Sequence, residues 1–451
     1  METNESKKQY ERMIYSPIPR LVTSMAVPTV ISMLITVVYN TADTYFVSQI
    51  NKSASAAVGA IYPVMAIIQA VGYGLAMGGG SLSSLMLGQK KDESAHRYAT
   101  TAFFCAVLFG VPVAAAGLFP LGGFLRLLGC SDTMLPYAQP YARIILLAAP
   151  LSCSMFVLTN LMRAQGKATA AMWGLGASGV MNLLLDPLFI FKFNWGTGGA
   201  ALATVLSQAV CFAIFLIVFL TGRSILLLRP QYIAKEPAVY RQIILTGLPT
   251  ICRQSLGSLS AALLNVQAVA YGDAAVSAVT IANKVYVLVR NVVLGIGQGF
   301  MPVAGYNYGA GEKKRTWQAF VFAGKIGSAL CLVSAAVIAA FAGPIMRWFS
   351  PDAQVVAIGT QTLLFCCAVM PFMAVSTYVN QLYQCLGFKA PATFLASCRQ
   401  GIFFVPAIFI LPALLGRVGV ELSQPAADAL TFFVCVPFMA AFYRKRIADG
   451  G

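Results

Sequence analysis

Long apolar runs, separated by short polar segments, follow one another along this chain. The runs are near-continuous rather than alternating, which argues against an outer-membrane barrel. A span across ~30 Å of hydrocarbon takes ~20 helical residues, and lipid requires each segment to satisfy its own backbone hydrogen bonds. The pattern predicts an all-α integral membrane protein of twelve transmembrane helices, at 18–48, 53–87, 95–120, 134–162, 167–192, 197–221, 238–271, 274–307, 316–341, 353–384, 388–414 and 421–443.

Composition supports a membrane protein and argues against a soluble one. Of 451 residues, 58% are hydrophobic and 10% are charged, whereas a soluble domain has roughly 25% charged residues. The net charge of +16 raises the question of nucleic acid, but its distribution follows membrane topology. Of the 31 lysines and arginines, 21 fall on the side that carries both termini, six on the opposite side and four inside spans. This bias predicts cytoplasmic termini and no nucleic-acid partner.

The two halves of the chain repeat each other at an offset of 221 residues. Partners at this offset include Pro28 and Pro249, Gly74 and Gly295, Gly78 and Gly299, Pro150 and Pro371, and Gly166 and Gly387. Six spans per half give both halves the same orientation, the arrangement of parallel transporter repeats. The repeat predicts an N-lobe at 1–222, a cytoplasmic linker at 223–240 and a C-lobe at 241–451. We interpret the glycines within the spans as sites of close helix packing.

Two acidic residues lie inside predicted spans of the first half. Asp43 interrupts the first span, and Asp186 follows Asn182 by four positions in the fifth, which puts both side chains on one helix face. An aspartate at mid-bilayer costs ~2.5–3.5 kcal/mol on insertion scales, so an embedded one is a functional candidate. Pro187 removes a backbone donor and can free a carbonyl in the preceding turn.

Neutral oxygens in neighbouring spans extend this set, from Asn160, Thr204 and Gln208. Carboxylate, amide and hydroxyl oxygens suit a hard cation, so a Na⁺ site at Asp43, Asn182 and Asp186 is one prediction. Two carboxyl groups held close together would instead accept a proton. The alternative is that these groups only hydrogen-bond across helices, and that alternative is favoured for Asn160 and Thr204 taken alone.

The second half has different chemistry at the matching positions. Leu264 stands opposite Asp43, no acid matches Asp186, and the embedded charges are Arg253, Lys284, Arg290 and Arg399. Asp428 and Glu421 could neutralise some of these bases. We favour helix clamping or headgroup contact over substrate binding for the arginines. The candidate substrate-cavity residues are Tyr39, Asn40, Gln208, Arg253, Arg290, Arg399 and Asp428.

Several motifs in this order resemble the multidrug and toxic compound extrusion (MATE) transporters over essentially the whole chain. They are Pro28 with Tyr39-Asn40-x-x-Asp43-Thr44, Asn182-x-x-x-Asp186-Pro187, Pro249-x-x-x-Arg253-Gln254, Arg399-Gln400 ahead of Pro406, and Gly419-Val420 ahead of Pro425-x-x-Asp428. The resemblance is to the prokaryotic branch with an acidic first lobe. It implies a V-shaped pair of bundles that exchanges Na⁺ or H⁺ for organic, often cationic, drugs. It also implies a cation site at Asp43, Asn160, Asn182, Asp186 and Thr204.

One departure from the family concerns the seventh helix. Other members place an essential acid there, and this chain has none between Tyr240 and Tyr271. A second coupling site in the C-lobe is therefore in doubt.

We expect a secondary active multidrug efflux transporter of the cell membrane that works by alternating access. It should be a monomer in the bilayer, with small organic molecules as substrates, no enzymatic activity and no cofactor beyond the coupling ion. The nearest alternative is a lipid-linked oligosaccharide or lipid flippase of the same superfamily, because the basic second half could hold a diphosphate. A membrane-embedded prenyl transferase would need clustered acids for Mg²⁺–diphosphate, and the chain has no DDxxD-like run. A receptor without transport would give the duplication no role.

Overall fold

The computed structural model describes residues 4–448, and every regular element in that range is helical. In the first half the α-helices are α1 Asn4–Tyr15, α2 Ile18–Ser48, α3 Lys52–Gly88, α4 Asp92–Ala116, α5 Gly122–Leu127, α6 Leu135–Leu147, α7 Ala149–Ala164, α8 Ala168–Pro187 and α9 Gly196–Leu220. In the second half they are α10 Pro237–Val269, α11 Asp273–Gly309, α12 Lys313–Ala340, α13 Ala342–Phe349, α14 Ala353–Cys385, α15 Lys389–Ser397, α16 Phe404–Leu415 and α17 Arg417–Phe442.

Irregular turns complete the described chain. A short 3₁₀ turn covers Pro230–Tyr232, and π-helical segments cover Leu188–Lys192, Cys398–Ile402 and Tyr443–Ala448. The first two π segments continue α8 and join α15 to α16, so each lies within a predicted span.

The helices confirm the predicted all-α membrane fold. Within residues 4–448, ten helices are long and apolar enough to cross a membrane, and the bent pair of α6 and α7 makes an eleventh. The remaining predicted span corresponds to α10, whose 33 residues are also long enough but include the charged Arg241 and Arg253. The predicted spans match these helices closely; the first, 18–48, has the same bounds as α2.

The fourth span is broken, although the hydropathy pattern predicts one continuous helix. Its two parts, α6 and α7, meet at Ala148 with a bend of 51°. Pro150 cannot donate to the carbonyl four residues earlier, and its ring crowds that carbonyl. The bend packs against α4, where a Cβ added to Gly110 would lie 2.3 Å from the Cα of Pro150. The repeat partner Pro371 lies inside the unbroken α14, so proline alone does not produce the break.

The chain forms two compact units, each of which includes a segment from the other half of the sequence. Unit 1 comprises Met1–Tyr15 and Ile31–Ile251, and unit 2 comprises Ser16–Val30 and Cys252–Gly451. The first part of α2 therefore packs within unit 2, and the first part of α10 packs within unit 1. The lobe boundaries expected from the sequence repeat place these two segments the other way round, and that division remains a prediction.

Repeat-related glycines lie where these exchanged segments pack. In unit 1, a Cβ on Gly78 of α3 would lie 2.1 Å from the carbonyl oxygen of Ile243 in α10. In unit 2, a Cβ on Gly299 of α11 would lie 2.5 Å from the Cα of Ala26 in α2. Only glycine allows backbones to approach this closely. The interpretation of these glycines as packing sites is confirmed, and the same contact occurs once in each unit.

The turns that end α7 and α14 also repeat. Gly166 and Gly387 both lie in the left-handed region, with φ of 83° and 78°. That conformation suits glycine because it lacks a Cβ. The duplication seen in the sequence is therefore present in the backbone.

The predicted linker is held against unit 1 by side chains at the ends of α4 and α7. The buried Gln165 accepts hydrogen bonds through Oε1 from the Ser224 hydroxyl at 2.9 Å and the Ile225 amide at 2.8 Å. His96 accepts through Nδ1 from the Leu227 amide at 3.3 Å. These bonds satisfy backbone donors of a segment with little regular structure.

Candidate functional site

The polar residues predicted for the first lobe come from three helices of unit 1. Asp43 lies on α2, Asn182 and Asp186 lie one turn apart on α8, and Thr204 lies on α9. The amide nitrogen of Asn182 donates to Asp186 Oδ1 at 3.3 Å and to Thr204 Oγ1 at 3.4 Å. Asn182 thereby joins α8 to α9 and turns its own amide oxygen away from both partners.

Three oxygens at this site lack a hydrogen-bond donor among the described residues. They are Oδ1 of Asp43, Oδ1 of Asn182 and Oδ2 of Asp186, and all three are buried. Asp186 is 0% exposed and Asn182 is 2% exposed. A buried polar atom without a partner costs about 1–3 kcal/mol, and more if it is charged. Since all three atoms are acceptors when the carboxyl groups are ionised, a cation or a proton is the species that would satisfy them.

The two carboxyl groups are close enough to influence each other. The charges of Asp43 and Asp186 interact, and both act on the hydroxyl of Tyr141. Tyr141 lies on α6, is 1% exposed and places its hydroxyl 3.6 Å from the sulfur of Met65. The sequence analysis did not single out Tyr141. A tyrosine next to Pro140, in the span that proves to be broken, was the available signal.

The helix that carries Asn182 and Asp186 becomes irregular directly after them. Pro187 ends α8, and the π-helical turn Leu188–Lys192 follows. The missing amide of Pro187 leaves the carbonyl of Leu183 without its usual helical donor. π-Bulges occur frequently at functional sites, and here the irregular turn adjoins the most buried carboxylate of unit 1.

The remaining predicted residues of unit 1 take part in other contacts. Asn160 donates through Nδ2 to the sulfur of Met77 at 2.9 Å, and its Oδ1 packs over Gly80 of α3. Gln208 accepts from the Ser152 hydroxyl at 2.5 Å. Tyr39 packs beside Gly179, and Asn40 is exposed. The structure thus brings together Asp43, Asn182, Asp186 and Thr204 but engages Asn160 and Gln208 elsewhere.

In unit 2, Arg399 is clamped by residues of three other helices. It donates through Nε to Asp428 Oδ1 at 2.5 Å and through Nη2 to the Tyr286 hydroxyl at 2.6 Å. Nη2 also approaches the sulfur of Met373 at 3.5 Å. Tyr286 donates to Asp428 Oδ2, and Gln424 donates to Oδ1 at 3.0 Å. For Arg399, the preferred interpretation as an interhelical clamp neutralised by Asp428 is confirmed.

The other embedded bases of unit 2 divide into two groups. Arg253 donates through Nη1 to Asn380 Oδ1 at 3.5 Å, and its charge interacts with those of Arg290 and Arg399. Lys284 is exposed and stands apart from this group.

Two expectations about charged residues are wrong. Glu421 does not neutralise the embedded bases named above; it pairs with Arg417, one turn earlier on α17, at 3.1 Å. Arg163 was counted among the bases of the terminus-bearing side, but it is only 4% exposed, inside unit 1. The charge of Arg163 lies near the side chains of Tyr73 and Cys211. In both cases helix packing, rather than position along the chain, decides the surroundings.

Comparison with known families agrees with this geometry. The MatE family matches residues 28–188 and 249–410. The chain belongs to the MatE family. The two matches begin at Pro28 and Pro249, the positions at which the internal repeat is recognised, so each half of this MatE protein carries its own copy of the family sequence.

Relatives and solved structures extend over the full chain. The multidrug export protein MepA of Staphylococcus haemolyticus is 25% identical over 97% of both chains. An outward-facing multidrug resistance MATE transporter of the MOP superfamily superposes with a TM-score of 0.91 at 23% identity, over 100% of this chain and 99% of the other. A MOP superfamily transporter from Pyrococcus furiosus, reported with a binding pocket of reverse polarity, superposes at 0.88 with 22% identity, over 98% and 99%. These structures show the fold, and the family is one of multidrug efflux transporters.

Proposed function

We propose that this protein is a secondary active transporter that exports organic, often cationic, compounds in exchange for Na⁺ or H⁺. The observation that carries the proposal is the set of three buried acceptor oxygens on Asp43, Asn182 and Asp186 without donors among the described residues. The name of the relative MepA, a multidrug export protein, supports the substrate class.

The coupling ion is cargo, and the same residues suit either candidate. Na⁺ is a hard cation that prefers oxygen ligands, and two carboxylates, one amide oxygen and the nearby Thr204 hydroxyl supply them. A proton would be held between carboxyl groups whose like charges repel. In both cases the arriving positive charge removes the repulsion between Asp43 and Asp186.

Neutralisation at this site would drive alternating access. A ligand shifts a conformational equilibrium only through its different affinity for the two states. Substrate release and ion binding outside, followed by substrate binding and ion release inside, would complete the exchange. In this proposal unit 1 binds the ion and its charge state selects the conformation.

The protein would work as a monomer in the plasma membrane with both termini cytoplasmic. The excess of lysines and arginines on the terminus-bearing side supports this orientation. The proposal includes no enzymatic step.

The test is efflux from proteoliposomes loaded with ethidium, an organic cation, under Na⁺ and pH gradients imposed separately. We expect one gradient to drive export by wild-type protein and Asp43→Asn to abolish it. Asp132→Asn is the matched control, because Asp132 is exposed and paired with Arg126 at 2.7 Å. Full gradient-driven export by Asp43→Asn would sink the assignment of the ion site.

A flippase remains the second candidate because of the arginines in unit 2 and the fold shared with the Pyrococcus transporter of reverse pocket polarity. A flippase needs cationic groups to hold a lipid diphosphate. Loss of activity in Arg290→Ala and Arg399→Ala, together with full activity in Asp43→Asn, would favour it over the ion-coupled exporter.

A further inference from the structure

Unit 2 holds three arginines whose charges interact inside the helical bundle. Arg253 lies on α10, Arg290 on α11 and Arg399 in the π-helical turn between α15 and α16. The charge of Arg253 interacts with those of both other arginines. Like charges at such positions repel, and this arrangement is costly unless anions compensate it.

The carboxylates of unit 2 compensate only part of this charge. In residues 252–448 they are Asp273, Glu312, Asp352, Glu421 and Asp428. The first three are exposed, at or next to helix ends, and Glu421 pairs with Arg417. Asp428 alone among these five contacts the arginine cluster, and it is bound to Arg399. Three guanidinium groups thus face one carboxylate in the described part of unit 2.

The contacts also give the three arginines different roles. Arg399 is oriented by Asp428, Tyr286 and Met373 and is only 15% exposed. Arg253 and Arg290 are half-buried, so part of each residue remains accessible. Asn380, which accepts from Arg253, is itself fixed by a 2.6 Å bond from its Nδ2 to the Ala392 carbonyl. The positive charge is therefore held in place rather than left to move to the surface.

We infer that Arg253 and Arg290, beside the Arg399–Asp428 pair, form an oxyanion site that accepts the carboxylate or phosphate group of an organic substrate. Guanidinium groups bind such groups through two parallel hydrogen bonds. The inference rests on the proposed transport function and extends its substrates from organic cations to molecules that carry an anionic group. An anion at this site would offset the charge that Asp428 leaves uncompensated.

Binding of a fluorescent organic anion to purified full-length protein in neutral detergent tests the site. We expect wild-type protein to bind carboxyfluorescein, and Arg253→Gln and Arg290→Gln each to weaken binding about tenfold or more. Arg347→Gln is the matched control, since Arg347 is an exposed arginine of α13 in the same unit. Absence of binding to wild-type protein, or an equal loss in Arg347→Gln, would overturn the inference.

A second measurement needs no variant, in case the arginine variants do not fold. Phenyl phosphate should displace carboxyfluorescein from the wild-type protein, and phenol should not, because only the former carries an oxyanion. Equal displacement by both compounds, or by neither, contradicts an oxyanion site.

Two further arms separate the sources of the anion and the two proposals. Nanodiscs of phosphatidylcholine, with and without phosphatidylglycerol, distinguish a lipid phosphate, which would compete with the dye, from a soluble anion. Gradient-driven ethidium efflux by the same protein tests the transport function independently. Anion binding without ethidium efflux would refute the proposed function and leave the oxyanion site standing.

Discussion

The two units share a duplicated backbone and differ in the chemistry at equivalent positions. Leu264, which lies 221 residues after Asp43, belongs to an apolar cluster with Phe404, Ile408 and Val420. Ala407 stands at the position that matches Asp186. Where unit 1 buries two carboxyl groups, unit 2 has a hydrophobic core. The comparison shows that a repeat can preserve helix packing while only one copy keeps an ion site.

The reverse holds for the charges of unit 2. Arg399 corresponds to Ser178, and Asp428 lies 220 residues after Gln208, the offset found near the end of each repeat. Gln208 makes a neutral hydrogen bond with Ser152, whereas Asp428 binds a guanidinium. Each charged group is therefore an addition to one copy, supported by partners that the other copy lacks.

Both units interrupt the fifth helix of their half near the functional charge. The π-helical turn Leu188–Lys192 follows Asp186, and the π-helical turn Cys398–Ile402 contains Arg399. The two turns do not occupy equivalent repeat positions. Irregular backbone in a membrane needs support from neighbouring protein, so each interruption belongs to the local site rather than to the ancestral repeat.

The largest expected effect comes from breaking the buried ion pair of unit 2. Arg399→Met should lower the free energy of unfolding by about 3–5 kcal/mol, because it leaves Asp428 buried without its cation. The double variant Arg399→Met with Asp428→Leu should recover much of this loss. Thermal unfolding in detergent measures both, and equal destabilisation in the single and double variants would contradict the pairing.

The next effect concerns ion binding in unit 1. Asp186→Asn should weaken binding of the coupling ion about 10–100-fold, since one charged ligand is lost, while the unfolding temperature changes little. Gradient-driven efflux across a range of ion concentrations measures the affinity. The complementary change Leu264→Asp should create no ion dependence in unit 2, because it places an acid among apolar neighbours. A gain of ion affinity in that variant would show that the units are chemically interchangeable.

A smaller and equal effect is expected at the two exchanged contacts. Gly78→Ala and Gly299→Ala should each cost about 1–3 kcal/mol of stability, because the added methyl overlaps a neighbouring backbone. Gly59→Ala is the control on α3, where the added Cβ has no neighbour within 4 Å. Thermal unfolding of the three variants compares them, and a cost in only one unit would mean that the exchanged segments are not equivalent.

The smallest effect separates two asparagines of unit 1. Asn182→Ala should weaken ion binding about tenfold through loss of its amide oxygen and its bonds to Asp186 and Thr204. Asn160→Ala should have a smaller effect, because its amide is bonded to Met77. Ion-dependent efflux of both variants provides the comparison, and an equal loss would place Asn160 within the ion site.

Much of the fold was predictable, and the candidate site was predictable in part. An embedded aspartate is costly in lipid, so Asp43 and Asp186 were identifiable without coordinates, and the spacing of Asn182 placed it on the same face as Asp186. Tyr141 was missed because a buried tyrosine in an apolar span is also an ordinary packing residue. Asn160 was grouped with the site, but its hydrogen bond to Met77 depends on how α7 packs against α3.

The sequence by itself determined the number and approximate bounds of the spans, the duplication and the opposite charges of the two halves. Hydropathy and repeat spacing are local or periodic properties, which can be read in one dimension. Only the tertiary structure decided that α2 and α10 divide between units, that the fourth span bends, and that Asp428 pairs with Arg399 while Glu421 pairs with Arg417. Those outcomes depend on which faces of distant helices meet, and packing between helices sets that choice.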